Sequence, residues 1–342
     1  MLPVAPSDMP RRSLCFSPGR PARPREDSTR PAPIPQSWRP AGGVGYSGCA
    51  AEHTHMRVIP FVKMQGAGND FVVLAQEAAW GLDLAAAARA ACARRTGIGA
   101  DGLLVIGPSR AADAHMRMLN PDGTEDMCGN GLRCAARWLA AGGSPERLLA
   151  RAPEPQGWTA SIETLAGVRR AEIPRPGGPV VVEMGRPDFR PQAIPARLEA
   201  PRIVDFPLEV AGEALRITSL STGTAHTVLF VDTLPEDEKF ERVSRALERH
   251  LLFPERTSVL WAVPEGRARA RVRIWERGAG ETWGCGTGAC AVAAAGLELG
   301  LLDAPVQVVG RGGPLEVEWD PSGPMRLIGG AEAVFAGRWA WE

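Results

Sequence analysis

The chain lacks the features of a membrane protein or a nucleic-acid-binding protein. Its alanine-rich run at residues 82–93 is interrupted by charge and falls short of the roughly 20 apolar residues that a transmembrane helix needs. Acidic and basic residues balance at 39 each, so the excess positive charge that normally attracts a polyanion is missing. We therefore expect no transmembrane helix, no membrane partner and no nucleic-acid partner.

The seven cysteines lack the spacing of familiar cysteine frameworks. Their number is odd and no secretory signal precedes them, which predicts reduced thiols in the cytoplasm. Neither the Cys-x-x-Cys of thioredoxin-like proteins nor the two-residue knuckle of structural zinc sites occurs. We therefore expect no metal site.

Proline is concentrated near the N-terminus. Residues 1–55 hold ten of the 31 prolines and seven arginines, with neither helical nor strand periodicity. This composition predicts a disordered segment, and its proline density opposes the amphipathic helix of a transit peptide. Our preferred interpretation is that translation starts at Met56 and that the extension is not part of the protein.

From Arg57 onward one order of elements occurs twice. Apolar runs bounded by glycine predict strands at 58–64, 71–74, 102–106 and 115–119, and a helix over 82–95. The second copy is predicted to have strands at 227–231, 259–263 and 269–275. Its helix over 240–251 would carry an apolar face made of Phe240, Val243, Leu247 and Leu251.

Internal duplication is the simplest explanation of this order, and it predicts an α+β fold with two pseudo-symmetric halves. We expect an N-terminal half at 56–180 and a C-terminal half at 181–330. Residues 331–342 are expected to form a strand that returns to the first half.

Two cysteines differ from the others because glycines follow them. Cys128 and Cys285 lie 157 positions apart, and each opens a Cys-Gly-x-Gly motif at the start of a run of small residues. At a helix N-terminus the first backbone N–H groups have no partner within the helix, so they attract an anion. We expect this position to favour the thiolate form of each cysteine. Three other cysteines lie within helical runs and are predicted to be core residues: Cys92, Cys134 and Cys290.

Two equivalent half-sites suit a reaction in which a proton leaves one face of a carbon atom and returns on the other. One cysteine acts as thiolate and the other as thiol, so their titrations are coupled. Negative charge that develops at the α-carbon of an amino acid moves into its carboxylate, where two helix N-termini could stabilise it. This predicts a cofactor-independent racemase or epimerase. Glu276, just before the second glycine-rich loop, could hold the ammonium group or tune a thiol.

Other chemistries explain fewer of these residues. A cysteine hydrolase would use one nucleophile with His226 as its base, which leaves the second cysteine without a role. A cysteine-based redox sensor would not need both glycine-rich loops. Both stay open as weaker alternatives.

Four motifs resemble those of the diaminopimelate epimerase family, and the resemblance extends from about Arg57 to the C-terminus. They are KMQGAGNDF at 63–71, GIGADG at 97–102, CGNGLRC at 128–134 and ERGAGETWGCGTGAC at 276–290. The resemblance implies an isomerase that interconverts LL- and meso-2,6-diaminopimelate without a cofactor, in lysine and peptidoglycan synthesis. It also implies a homodimer. Each half would be a mainly antiparallel curved sheet around a central helix, with the active site in the cleft between the halves.

The resemblance implies a role for each matching residue. Cys128 and Cys285 would be the catalytic bases, with Glu276 and His226 as assisting residues. The reacting carboxylate would be held by backbone amides of Gly129, Asn130, Gly286 and Thr287. The other substrate-binding positions are Asn69, Asn120, Thr224, Ser258, Glu276 and Arg277, of which the arginine matches a distal carboxylate.

Four positions depart from the family pattern. Thr224 and Ser258 stand where asparagines are usual, and each keeps a hydroxyl that can form hydrogen bonds. Gly102 stands where glutamine is common, and Phe335 aligns with a tyrosine linked to dimerisation. A proline racemase-like enzyme is the alternative within the same fold, and Asn130 argues against it because histidine typically follows Cys-Gly in that motif.

Overall fold

Strands dominate the fold and form one continuous sheet. The computed structural model describes residues 56–151 and 154–341, so the predicted extension at 1–55 lies outside the described residues. The sheet has 18 strands, and their pairing repeats after the ninth. The first nine are β1 (Arg57–Gly66), β2 (Asn69–Ala75), β3 (Gly102–Gly107), β4 (Ala114–Leu119), β5 (Glu125–Asp126), β6 (Trp158–Thr164), β7 (Gly167–Ile173), β8 (Val180–Gly185) and β9 (Ile203–Val210).

The second nine strands pair with one another in the same order as the first nine. They are β10 (Glu213–Ser221), β11 (Ala225–Phe230), β12 (Ser258–Pro264), β13 (Arg269–Glu276), β14 (Gly280–Thr282), β15 (Val306–Gly310), β16 (Gly313–Glu318), β17 (Met325–Gly329) and β18 (Glu332–Trp341). The helices are α1 (Gln76–Ala79), α2 (Leu84–Cys92), α3 (Gly129–Ala140), α4 (Pro145–Leu149), α5 (Asp237–Glu248) and α6 (Gly286–Glu298), with a 3-10 turn at Pro191–Ala193.

Strand pairing has the same pattern in both halves. The pairs β2–β3 and β4–β6 are parallel, as are their counterparts β11–β12 and β13–β15, and the other pairs are antiparallel. The halves join through the antiparallel pair β8–β17. The last strand of each repeat lies on the other half, since β9 pairs with β10 and β18 pairs with β1. This confirms the predicted duplicated α+β fold, while the proposed domain boundaries stay a prediction.

The sheet surrounds two central helices, α3 and α6. Every residue from Gly286 to Gly296 is buried, as are most residues of α3. A helix that is enclosed on all sides needs small or apolar residues around its whole circumference, which explains the alanines and glycines of both segments. Their side chains belong to one hydrophobic core that both halves share. The outer helices α2 and α5 each cover a separate core on the other face of the sheet.

Two details of the second half differ from the sequence prediction. Helix α5 ends at Glu248, so Leu251 lies beyond it and is 81% exposed. The buried Glu248 carboxylate anchors this end of the helix, since it accepts hydrogen bonds from Trp275 Nε1 at 2.8 Å and Gly278 N at 3.0 Å. Alternation within 269–275 places arginines on the face of the strand opposite Ala270, Val272 and Ile274. On that face Arg273 is nevertheless buried, with its guanidinium 3.8 Å from the centre of the Phe240 ring.

Among the described residues, no helix has both the length and the apolar character needed to cross a bilayer.

Leu327 on β17 supports the first turns of both central helices. Its side chain is fully buried, and Cβ atoms added to Gly129 and Gly286 would lie 3.0 and 2.9 Å from its Cδ2 atom. We expect Leu327→Ala to lower the free energy of unfolding by about 2–5 kcal/mol, because it opens a cavity between the helices. Urea unfolding measures this change. Leu251→Ala, at an exposed position, is the control and should stay within about 0.5 kcal/mol of the parent. Equal effects of the two changes would contradict the packing role.

Candidate active site

Both predicted cysteines occupy the residue immediately before a central helix. Cys128 precedes α3 and Cys285 precedes α6, with backbone φ of −130° in each case. The Cys128 sulfur accepts a hydrogen bond from Gly131 N at 3.5 Å, and the Cys285 sulfur accepts one from Gly288 N at 3.3 Å. The sequence prediction of two cysteines at two helix N-termini is confirmed in this geometry.

Glycine at the first position of each helix allows the two helix starts to meet. A Cβ atom on Gly129 would lie 2.8 Å from the Cε atom of Met184. One on Gly286 would lie 3.0 Å from Asn130 Oδ1 and 3.2 Å from Asn130 N. Contacts this short would force the backbone or its neighbours to move. The N-termini of α3 and α6 therefore converge, with their first amides at one place in the fold.

The duplication places predicted site residues at matching positions of the two halves. Phe71 pairs with Gly102 as His226 pairs with Ser258, so Asn69 corresponds to Thr224. The residue that follows β4 is Asn120, and Glu276 ends the matching strand β13. The cysteines are identical in the two halves, whereas the residues around them differ.

Asn69 and Asn130 link the two half-sites. Asn69 Oδ1 accepts hydrogen bonds from Cys128 Sγ at 3.4 Å and from Asn130 Nδ2 at 3.2 Å. Asn130 Nδ2 also donates to the carbonyl of Gly284 at 3.1 Å, just before Cys285. The other amide atom of Asn130, Oδ1, is buried and has no partner among the described residues. A buried acceptor without a partner is costly.

Glu276 is the carboxylate nearest to the second half-site. Thr282 Oγ1 donates a hydrogen bond to it at 2.5 Å. Burial raises the pKa of Glu276, while its hydrogen bonds with Thr282 and Cys285 act in the opposite direction. Its contact with Cys285 agrees with the predicted assisting position, although its role in a reaction stays a prediction.

Within the described part of the chain, His226 forms its hydrogen bond with Thr224 and with neither cysteine. Its Nε2 atom is 3.0 Å from Thr224 Oγ1, and Nδ1 is buried without a partner among the described residues. Burial, with a smaller effect from Arg277, lowers the pKa of His226 to about 3. The imidazole is therefore neutral at physiological pH. The described residues include no hydrogen bond between His226 and a cysteine, which removes the geometric basis for a Cys-His hydrolase pair.

A cleft of about 180 Å³ opens between the halves at Thr224 and Arg277. Arg277 N donates to Ser258 Oγ at 3.1 Å, and its guanidinium reaches to 3.9 Å from Asp126 Oδ2 in the first half. The charged residues that line the cleft are Asp126, Glu255, Arg256 and Arg277. Two carboxylates and two guanidiniums suit a ligand that carries both an ammonium group and a carboxylate.

The residues that line the cleft differ from the substrate-binding residues that the resemblance implied. Asn120 Nδ2 donates to Thr124 Oγ1 at 3.1 Å within its own turn, and Asn120 does not line the cleft. Asp126 and Glu255 were not identified from the sequence. Glu248 was also missed, although it fixes the loop after Glu276 through Gly278 N. Asp126 could have been found from its position two residues before Cys128, whereas the other two needed the fold.

The pKa values of the two thiols are raised, whereas their positions at helix N-termini led us to expect the thiolate form. Burial raises the pKa of Cys128 to about 12, even though the backbone hydrogen bond from Gly131 acts in the opposite direction. Burial, followed by the Glu276 carboxylate, raises the pKa of Cys285 well above its ordinary value. The expectation of a ready thiolate is therefore wrong for the ligand-free protein, because loss of hydration outweighs the helix dipole.

The other three cysteines within the described residues lie in the core, as expected. Cys92, Cys134 and Cys290 are at most 3% exposed. Among the described residues, no group of three or more histidine, cysteine, aspartate or glutamate side chains has the arrangement of a metal site.

Comparison with known proteins identifies the family. The sequence model of the diaminopimelate epimerase family matches residues 61–190 and 218–334. A diaminopimelate epimerase of Carboxydothermus hydrogenoformans is 41% identical over 283 residues, covering 82% of this chain and 98% of that protein. One of Moorella thermoacetica is 42% identical over 283 residues, covering 81% and 98%.

Solved structures support the same fold at lower sequence identity. A hydroxyproline epimerase from Agrobacterium vitis has a TM-score of 0.58 at 14% identity, covering 83% of this chain and 93% of its own. A Bacillus anthracis protein of the phenazine biosynthesis PhzF family has a TM-score of 0.54 at 19% identity, covering 83% and 99%. At these identities the likeness concerns the fold alone. The sequence matches, taken with the paired cysteine sites, show that the chain belongs to the diaminopimelate epimerase family.

Proposed function

We propose that this chain interconverts LL- and meso-2,6-diaminopimelate by proton transfer between Cys128 and Cys285, in lysine and peptidoglycan precursor synthesis. The observation that carries the proposal is the pair of cysteines at the converging N-termini of α3 and α6. In one direction a thiolate takes the α-proton and becomes a thiol, and the electrons of the C–H bond move into the carboxylate. The opposite thiol then donates its proton to the other face of the carbon. No redox partner or cofactor is needed for this balance.

The amides at the helix starts stabilise the intermediate. The substrate carboxylate gains a second negative charge when the α-proton leaves, and amide donors that are already oriented stabilise that charge without reorganisation. We assign the amides of Gly129, Asn130, Gly286 and Thr287 to this role. Each belongs to the first turn of α3 or α6, where backbone N–H groups have no helical partner.

The distal amino-acid group of the substrate fits the charged cleft. We assign its carboxylate to Arg277 and its ammonium group to the carboxylate side of the cleft. The hydroxyls of Thr224 and Ser258 lie beside this position, and Ser258 already fixes the Arg277 backbone at 3.1 Å. A hydroxyl therefore replaces the amide that the family pattern has at each position. Substrates without a distal zwitterion would leave these charges unpaired.

A second copy of the chain is the partner we propose, in the cytoplasm. Apolar side chains are exposed along the outer strands β1 and β18, where Val58 is 53% exposed, Val334 55% and Phe335 44%. Phe335 also packs edge-on against Phe61 with 5.8 Å between ring centres. A phenylalanine that packs on one neighbour and exposes the rest of its ring suits an interface between copies.

Isotope exchange tests the reaction. In deuterated water with reductant, LL-diaminopimelate should gain deuterium at one α-carbon as the meso isomer forms, and proline should gain none. Mass spectrometry and chiral chromatography measure both. No exchange into LL-diaminopimelate would overturn the proposed function, and exchange into proline would favour the racemase alternative.

Each catalytic cysteine should be required. Cys128→Ala and Cys285→Ala are each expected to lower kcat by about 100-fold or more, because a positioned acid or base is lost. Cys92→Ala is the matched control, since Cys92 is equally free and lies in a separate core. It should stay within about 3-fold of the parent, less than a single positioned acid or base contributes. Full activity in either catalytic variant would rule out the two-base scheme.

The raised thiol pKa values predict alkaline activation. One thiol must be ionised in the active protein, and a pKa of about 12 for Cys128 leaves little thiolate at neutral pH. As pH rises the thiolate fraction grows, so kcat/KM should increase between pH 7 and 9 with a slope approaching about tenfold per unit. Steady-state kinetics measures the profile, with circular dichroism as the check that the fold persists. A flat profile over this range contradicts the buried-thiol account.

Phe335 provides the test of the dimer. Phe335→Asp should shift the protein from dimer to monomer in sedimentation velocity, because a charge would be buried in the interface. Leu165→Asp is the control, since Leu165 is 63% exposed in a turn away from β1 and β18. A parent protein that sediments as a monomer, or a Phe335→Asp dimer of unchanged affinity, would contradict this interface.

A further inference from the structure

The side chain of Asn69 is committed to the protein itself. Its oxygen accepts from Cys128 Sγ at 3.4 Å and from Asn130 Nδ2 at 3.2 Å, which occupies both lone pairs. Its nitrogen donates to Asp101 Oδ2 at 2.8 Å. Asn69 is 8% exposed. Asn69 therefore acts first on the Cys128 thiol, whatever further contact it makes with a substrate.

The contacts of Asn69 fix which way its amide points. An ionised carboxylate only accepts hydrogen bonds, so the Asn69 nitrogen must face Asp101. The Asn130 nitrogen is a donor, and it therefore requires the Asn69 oxygen on the opposite side. As a result the oxygen, and not the nitrogen, faces the sulfur of Cys128.

Asp101 is held in place by donors on both of its oxygens. Oδ1 accepts from Arg94 Nη2 at 2.6 Å, and Oδ2 accepts from Asp70 N at 3.1 Å as well as from Asn69. The neighbouring Asp70 carboxylate pairs with Lys63 at 2.7 Å and with Arg94 at 2.9 Å. Arg94, the Asp70 backbone and Asn69 all donate to this carboxylate. Alanine at 101 would therefore leave the Asn69 nitrogen without its acceptor, whereas asparagine could still accept from Asn69 through its amide oxygen.

We propose that Asp101 is a positioning residue that holds the amide oxygen of Asn69 against the Cys128 thiol. The proposal deepens, and rests on, the proposed epimerisation. A hydrogen bond accepted from a thiol stabilises its protonated form. Asp101 thereby keeps Cys128 supplied with the proton that it must donate when Cys285 acts as the base. Through Asn130 and Gly284, the same amide also holds the two half-sites in register.

Other groups also face Cys128, and the Asp101 charge raises the pKa of one of them, Glu276. They are the Glu276 carboxylate from β13, the Cys285 thiol from α6 and the Arg133 guanidinium from α3. Burial raises the pKa of Asp101 itself, while its hydrogen bond from Asn69 acts in the opposite direction. Removal of Asp101 therefore has two effects. It releases the orientation of the Asn69 amide, and it removes one negative charge near Cys128. A control of equal charge separates these two effects.

The test measures alkylation of each thiol and turnover. In Asp101→Ala, release of the Asn69 amide should speed iodoacetamide alkylation of Cys128 at pH 9 by about 10-fold, equivalent to about one pKa unit. Cys285 should change by less than about 3-fold, well under one pKa unit. Peptide mass spectrometry resolves the two sites. For the epimerisation, kcat should fall by about 10-fold or more through misplacement of the acid, with KM changed much less.

Asp70→Asn is the matched control, because it removes the same charge from the same cluster without touching the Asn69 side chain. It should leave Cys128 alkylation within about 3-fold of the parent, again well under one pKa unit. Equal acceleration in both variants would assign the effect to charge and overturn the proposal. Equal acceleration of Cys128 and Cys285 would indicate general opening of the site and would also overturn it.

Asn69→Ala provides a second test if Asp101→Ala does not fold. It removes the acceptor and leaves the Asp101 cluster intact, so Cys128 alkylation should again accelerate selectively. An unchanged rate would overturn the proposal. Alkylation does not require turnover. A parent protein that fails to exchange deuterium would therefore refute the proposed function without deciding the role of Asp101.

Discussion

The close approach of two helix N-termini is the constraint on which the rest of the structure depends. A Cβ atom on Gly286 would lie 3.2 Å from the backbone nitrogen of Asn130 at the start of the other helix. The same contact brings two sets of unpaired amides together and places a cysteine at each. It also buries Cys285 and part of Cys128. The oriented amides and the raised pKa values of the thiols thus have one origin.

The two halves are alike at the cysteines and differ at the residues around them. In the proposed reaction, proton removal and proton return are equivalent steps on opposite faces of the carbon, and each half has a cysteine in the same backbone conformation. The substituents of an α-carbon are not symmetric. The matching positions around the thiols accordingly differ, with Asn120 in one half where the other has Glu276. In the first half Asn69 contacts its cysteine, while its counterpart Thr224 contacts His226.

The sequence predicted the features that depend on local pattern. Strand periodicity located β1 to β4, and Cys-Gly-x-Gly located the starts of α3 and α6, because these signals lie within a few residues of each other. The end of α5 was misplaced because it depends on the Glu248 carboxylate, whose partners Trp275 and Gly278 are about 30 positions away. The burial of Arg273 depends on the ring of Phe240 in the same way. Contacts between residues so far apart in the chain produce no periodic pattern in the sequence.

The error over thiol ionisation has a different cause, and it alters the account of the chemistry. A helix N-terminus contributes up to about 2 kcal/mol to a nearby anion, whereas full burial of an ionisable group shifts its pKa by up to about 3–5 units. The sequence revealed the first effect and not the second. Yet a thiolate of high pKa is a stronger base, which suits a carbon acid as weak as an amino-acid α-carbon. The substrate brings its own ammonium group into the site, and that cation compensates part of the cost of forming the thiolate. Burial therefore couples ionisation of the base to occupation of the site by substrate.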